Sequence, residues 1–221
     1  IRLQGSFSEA VTVSLAGLSL IGEGSRPKQT QWTSATDTKS LTIAANYVLV
    51  ENIYFKPPAY TASNAVTAIK LSGANHAKIS KCRFQGQTGS YQAIHSPVCD
   101  SDNVEISDCE FMYMNTATYG AGILGVEAGG LSYSGWRVLR NTFMGCVTAM
   151  NFNGRGCLVQ GNSIFEYGID ASSAVAAVLA LGIDLSGTSS GANAVHGNQL
   201  GGTYASTLYK VGASGDQWAG N

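Results

Sequence analysis

The chain has 221 residues, 12% of them charged, with 13 lysines and arginines against 14 aspartates and glutamates. A net charge of −1 leaves no broad basic face for a phosphate backbone, so nucleic acid is not an expected partner. That length can bury a substantial core as one domain or as one continuous repeat array.

The opening "IRLQGSFSEAVTVSL" carries no initiator Met, no basic n-region and no apolar h-region, so no signal peptide is expected and the chain reads as processed or excised. "GEGSRPKQT", 22–30, lacks the Gly-Lys-Ser/Thr of a phosphate loop and reads as a turn. From residue 50 a short motif recurs: "VENIYF" at 50, "ISKCRF" at 79, "ISDCEF" at 106, "VLRNTF" at 138, "VQGNSI" at 159 and "VHGNQL" at 195. Apolar residues open and close it, and its fourth place holds Cys or Asn, or Ile53 in the first copy. The closing positions step by 29, 27, 32, 21 and 36 residues. A fixed motif at loose spacing suits coils closed by loops, which absorb insertions, rather than helical repeats of constant length.

A second repeat precedes each motif: "SLTIA" at 40, "TAIKLSG" at 67, "QAIHS" at 92, "AGILG" at 121, "TAMNFNG" at 148, "LGIDLSG" at 181 and "TLYKVG" at 207. Apolar residues alternate there with polar or small ones, as in a half-buried strand. Each coil therefore reads as strand, turn, strand, loop, with almost no room for helices. The longest apolar run, "AVAAVLALGI" at 174–183, is about half of the roughly 20 residues a membrane span needs.

Stacked coils place equivalent residues about 4.8 Å apart. Phe55, Phe84, Phe111 and Phe143 then form one internal ladder. Cys82, Cys109, Asn141, Asn162 and Asn198 form a column in the adjoining turn, where Asn amides bond along the stack and Cys fits the same pocket. The five cysteines, Cys82, Cys99, Cys109, Cys146 and Cys157, are odd in number and lack CxxC spacing. They read as reduced thiols, and no metal or cofactor is expected. "DSDN", 100–103, reads as a turn capped by Asx side chains, because a calcium loop would need Gly at Glu105 and Glu at Phe111.

These motifs, with "VTVSLAGLSLIGEG" at 11–24, resemble right-handed parallel β-helix proteins of the pectin-lyase-like superfamily, over almost the whole chain. That group includes pectate lyases, pectin esterases, polygalacturonases, alginate-modifying enzymes and bacteriophage tailspikes. The resemblance implies an all-β fold, a single right-handed parallel β-helix domain over 1–221 of about seven or eight coils. Neither end shows a clear cap, so a longer chain or an assembly is expected. Fold is implied more specifically than function.

One residue after each inward Ile or Met should face outward: Thr42, Lys70, His95, Leu124, Asn151, Asp184 and Tyr209. In the resembled enzymes the active site commonly lies on such a sheet. Lys70 and His95, on adjacent coils, suit an anionic sugar. Glycoside hydrolysis needs two carboxyl groups about 5 to 9.5 Å apart, and the column supplies only Asp184. Glu127 is the first catalytic candidate and Asp184 the second, with Glu166 and Asp170 also on nearby loops. "GTSSG", 187–191, matches a nucleophile elbow, yet the strand-like "AVHGNQL" follows where an elbow requires a helix.

Tyrosines recur about once per coil, at Tyr60, Tyr91, Tyr113, Tyr119, Tyr167 and Tyr204. Tyr91, Tyr119 and Tyr167, with Lys70, His95, Asn151 and Asp184, make the expected carbohydrate-binding set. Met112, Tyr113 and Met114 read as a buried interface. The resemblance leads to the expectation of a homotrimeric appendage on a virion surface or tail, bound to other virion proteins and to host-surface polysaccharide, without membrane insertion. One alternative is an extracellular polysaccharide lyase or glycoside hydrolase; another is a purely structural capsid or tail decoration. The missing acid pair weighs toward binding.

Overall fold

A computed structural model describes residues 1–24, 30–33, 39–56, 66–86, 91–98, 100–114, 121–125, 132–165, 179–185, 191–201, 204–210 and 215–221. Short runs of β-branched, aromatic and alternating residues form strands, and the described residues contain no helix. The first coil is β1 (Arg2–Leu3), β2 (Gly5–Phe7) and β3 (Val11–Val13); the second is β4 (Ser19–Gly22), β5 (Thr30–Thr33) and β6 (Leu41–Ile43). The third is β7 (Leu49–Glu51), β8 (Tyr54–Lys56) and β9 (Val66–Leu71); the fourth is β10 (Lys78–Ser80), β11 (Arg83–Gln85) and β12 (Tyr91–Ser96). Next come β13 (Glu105–Ser107), β14 (Glu110–Met112) and β15 (Ala121–Gly125). A short β16 (Tyr133–Ser134) precedes the sixth coil, β17 (Arg137–Leu139), β18 (Thr142–Met144) and β19 (Thr148–Asn151). After β20 (Gly154–Arg155), paired with β16, follow β21 (Leu158–Gln160), β22 (Ser163–Phe165) and β23 (Leu179–Asp184). The eighth coil is β24 (Ala194–His196), β25 (Gln199–Gly201) and β26 (Tyr204–Lys210), and β27 (Gln217–Ala219) opens another turn.

First strands line up in one nine-stranded sheet, second and third strands in two eight-stranded sheets, and consecutive coils pair in parallel. With the right-handed crossovers that parallel strands adopt, this is a right-handed parallel β-helix. Each coil has three strands, where the sequence pattern shows two, because the recurring motif bends in its middle. Lys81, between β10 and β11, has φ 52°, and the equivalent residues Asn52, Asp108, Arg140, Gly161, Gly197 and Gly220 are also left-handed. The terminal "WAGN" at 218–221 is a further copy of the motif.

The interior follows the expected ladder and lengthens it. Phe55, Phe84, Phe111 and Phe143 are fully buried and stack at centroid separations of 5.2, 4.9 and 4.5 Å; Trp32 and Phe7 continue the column below Phe55. Beside it runs a column of small residues, Ala68, Ala93, Gly122 and Ala149. A Cβ on Gly122 would stand 2.7 Å from the Ala149 carbonyl oxygen and 2.8 Å from Phe143 Cε1, so the next coil's backbone and the aromatic column together demand glycine there.

The polar column also forms. Asn141 Nδ2 donates to the Ile106 carbonyl (2.9 Å), Asn162 Nδ2 to Val138 (3.0 Å) and Asn198 Nδ2 to Val159 (3.1 Å), while each Oδ1 accepts the N–H one coil below. Cys82 Sγ and Cys109 Sγ donate to the matching carbonyls of Val50 and Ile79. Cys82, Cys109, Cys146 and Cys157 are free thiols; Cys99 lies outside the described residues. Met112 and Met114 are buried within the chain, so they line its own packing in place of the expected interface. At 100–103 the side chains bond to neighbouring coils: Ser134 N–H donates to Asp102 Oδ1 at 2.9 Å, and Ala74 N–H to Ser101 Oγ at 3.0 Å.

Candidate functional site

The third strands carry the column expected to face outward. Their register sets Thr42, Lys70, His95, Leu124, Asn151 and Asp184 side by side on successive coils. The column then passes to Lys210, not Tyr209. β26 holds one extra residue between the Leu179–Tyr204 and Leu181–Thr207 pairs, which puts Tyr209 opposite the inward Ile183. Apolar Leu208 marks the inward place in the pattern, and a bulge is invisible to alternation.

Asp184 is a second correction, being 5% exposed. It ends its strand where Phe152 N–H donates to its carbonyl (3.1 Å), next to the wholly buried Leu185. It is therefore not a rim acid. Asn151 is half-buried beside it. Glu127, Tyr119 and Tyr167, with Glu166, Asp170 and Tyr60, lie outside the described residues. Tyr91 begins β12 opposite Val66. After the "GTSSG" segment comes strand β24, so no elbow-to-helix turn forms there.

The other end of the column gathers charge. Lys39, just ahead of β6, lies close enough to Lys70 for the two charges to repel, and both act on His95 one coil further on. Burial first, then the Lys70 and Lys39 charges, holds His95 below the ordinary imidazole range, so the ring is neutral at pH 7. Burial and then Lys70 likewise lower Lys39. His95 Nε2 is shielded from solvent and has no hydrogen-bond partner among the described residues. Lys39 gives no repeat signal in the sequence; only its place before "SLTIA" marks it.

Several cations elsewhere are matched to acids, though Lys56 and Arg155 meet none among the described residues. Lys78 and Arg137 flank Glu105 at 2.9 and 3.6 Å, Lys81 meets Glu51 at 2.9 Å, and Arg140 meets Asp108 at 2.9 Å. No acid among the described residues pairs with Lys39 or Lys70. Two ammonium groups and an imidazole thus come from three coils to one place, with no described acid paired to either lysine. Such a set can accept an anionic oxygen, and the neutral ring offers one N–H and one proton-accepting nitrogen. Among the described residues no three His, Cys, Asp or Glu side chains group to hold a metal ion.

No family model matches the chain, and no curated protein sequence matches it. Among solved structures it is similar to an alginate lyase from Paenibacillus sp. str. FPU-7, with a TM-score of 0.53 and 16% identity, over 87% of this chain and 67% of that one. At that identity the likeness is one of fold, a right-handed parallel β-helix built from a different sequence.

Proposed function

We propose that this β-helix binds an acidic polysaccharide along the outer face of its third sheet, with a carboxylate seated between Lys39, Lys70 and His95. The observation that carries the reading is the clustering of Lys39, Lys70 and a neutral His95 on adjacent coils, with no described acid paired to either lysine. A carboxylate would relieve the Lys39–Lys70 repulsion and raise the affinity of His95 for a proton. Its setting remains that expected from the resemblance, a trimeric virion appendage attaching to host-surface polysaccharide. Light scattering tests the trimer, and a monomeric mass would remove it.

Binding is tested by calorimetry with polyuronate and a neutral glucan. Lys70→Ala should weaken polyuronate binding about tenfold or more, the scale of one charge-assisted contact. Equal affinity of the parent for both polymers would overturn the reading.

A second reading, eliminative cleavage, is favoured by His95 alone: a neutral, half-buried base beside two cations. The neighbouring fold of an alginate lyase agrees with it. In that reaction the His95 imidazole takes the proton α to the uronate carboxyl, the electron pair forms a C=C bond, and the glycosidic C–O bond breaks. The departing oxygen takes a proton from water, while the two lysines stabilise the enolate charge. Ultraviolet absorbance of an unsaturated product, lost in His95→Gln, would support it; no absorbance from the parent would leave binding alone.

A further inference from the structure

Tyr47 and His76 occupy the corner leading from the third sheet to the first, on consecutive coils, with φ of 59° and 56°. The same left-handed corner is taken by Gly17, Gly135, Gly156 and Gly215, and also by Asn103 and Ala192. Side-chain identity varies at these bends, and Tyr47 is the largest side chain in this corner. The bend is firmly held. Tyr47 N–H donates to the Asn75 carbonyl and His76 N–H to that of Asp102, both at 2.9 Å. Asn46 Oδ1 and Asn75 Oδ1 accept the N–H groups of Asn75 and Asp102 at 3.2 and 2.7 Å.

The two rings stack with centroids 4.9 Å apart and planes 4° from parallel. Tyr47 is nevertheless 62% exposed. Its second face looks along the stack toward the rung of Gly17, where no side chain stands, and exposed Leu15 lies two residues before Gly17. A rigid aromatic face, backed by another ring, suits the C–H face of a sugar. Lys70 and His76 are six residues apart on one coil, so the cationic cluster lies within about 20 Å of the platform.

We infer that Tyr47, backed by His76, is a stacking subsite for a pyranose ring of the same acidic polysaccharide. This rests on the proposed function for the saccharide nature of the ligand. The cationic cluster fixes a charged unit, and the platform holds a ring further along the chain.

Calorimetry with short and long oligouronates and a long neutral glucan, on the parent, Tyr47→Gly, Tyr47→Phe and Lys70→Ala, tests it. Tyr47→Gly should lose about three- to tenfold affinity for the long oligouronate and none for the short one, while Tyr47→Phe keeps both. Its Tm should equal or exceed the parent's, because glycine relieves the bend. Unchanged long-oligomer affinity in Tyr47→Gly, with weakening in Lys70→Ala, overturns the platform and leaves the acidic-polysaccharide reading intact. Glucan binding as strong as oligouronate binding, and dependent on Tyr47, keeps the platform and removes that reading. Failure of the parent to bind either sugar removes both. Self-association abolished by Tyr47→Gly, without change in sugar binding, assigns the ring to a contact between copies and also overturns the subsite.

Discussion

His95 shares its surroundings with two ammonium groups and the apolar Leu124 of the next coil, so adding a proton to it is opposed from both neighbouring lysines. Its folded pKa lies below the ordinary value of about 6.5. Between those two values the unfolded chain binds more protons, so this residue's contribution to stability is complete above about pH 6.5 and is lost as pH falls through the folded value. Thermal melts of His95→Gln should show a weaker loss of Tm on mild acidification than the parent; parallel curves would contradict this. Polyuronate affinity should move oppositely, strengthening as the ring gains its proton. The aromatic ladder gives a second prediction. Phe84→Ala and Phe111→Ala should each lower stability by about 3 to 5 kcal/mol through cavity formation, read from denaturant midpoints against a surface control. That ladder was legible in the sequence because an inward position admits few residue types. Lys39 was not, because a long side chain ahead of a strand can reach a site without occupying any repeated place.

Corners explain what the pattern concealed. One holds Asn52, Lys81, Asp108, Arg140, Gly161, Gly197 and Gly220, residues sharing a left-handed backbone and little chemistry. The hydrogen bonds of adjacent coils impose that bend, as when Lys81 N–H donates to the Ser107 carbonyl and Asp108 N–H to that of Leu139. Side chains at the bend are free to vary, so no residue type announces it, and two strands read as one. Alternating charge uses this freedom: Arg140 clasps Asp108 through both guanidinium nitrogens at 2.9 Å, and Lys81 pairs with Glu51. Exposed pairs of this kind add little stability but disfavour misaligned stacking. The Asn column is different, being buried and fully bonded. Asn162→Ala would strand the Asn141 N–H and the Val138 carbonyl, at a cost on the order of 3 kcal/mol. Asn162→Cys should lose less, because Cys109 already bonds the equivalent carbonyl of Ile79 in that place. Equal losses in the two variants, measured by urea unfolding, would contradict this account of the column.

Across the whole molecule the same contacts recur from coil to coil, so stability is closer to a sum over neighbours than to a single keystone. Leu139 and Gln160 are register partners, as are Ser134 and Arg155, and Arg155 in turn bridges to Gly191. Excising residues 140–160 would join Leu139 to Gly161 and bring Asn162 above Cys109, whose N–H now donates to Asn141 Oδ1. The shortened chain should fold with a lower Tm, retain its strand content by circular dichroism, and bind polyuronate as the parent does, since Lys39, Lys70 and His95 lie on earlier coils. An unfolded product would show that coils are not interchangeable. The parallel register therefore makes the protein a ruler graduated at about 4.8 Å per mark. Duplication or loss of a coil between two sites would change their separation by one graduation while leaving each intact, whereas lengthening a loop would leave every mark in place. The distance between contacts carried on different coils is thus a counted quantity, adjustable in whole steps.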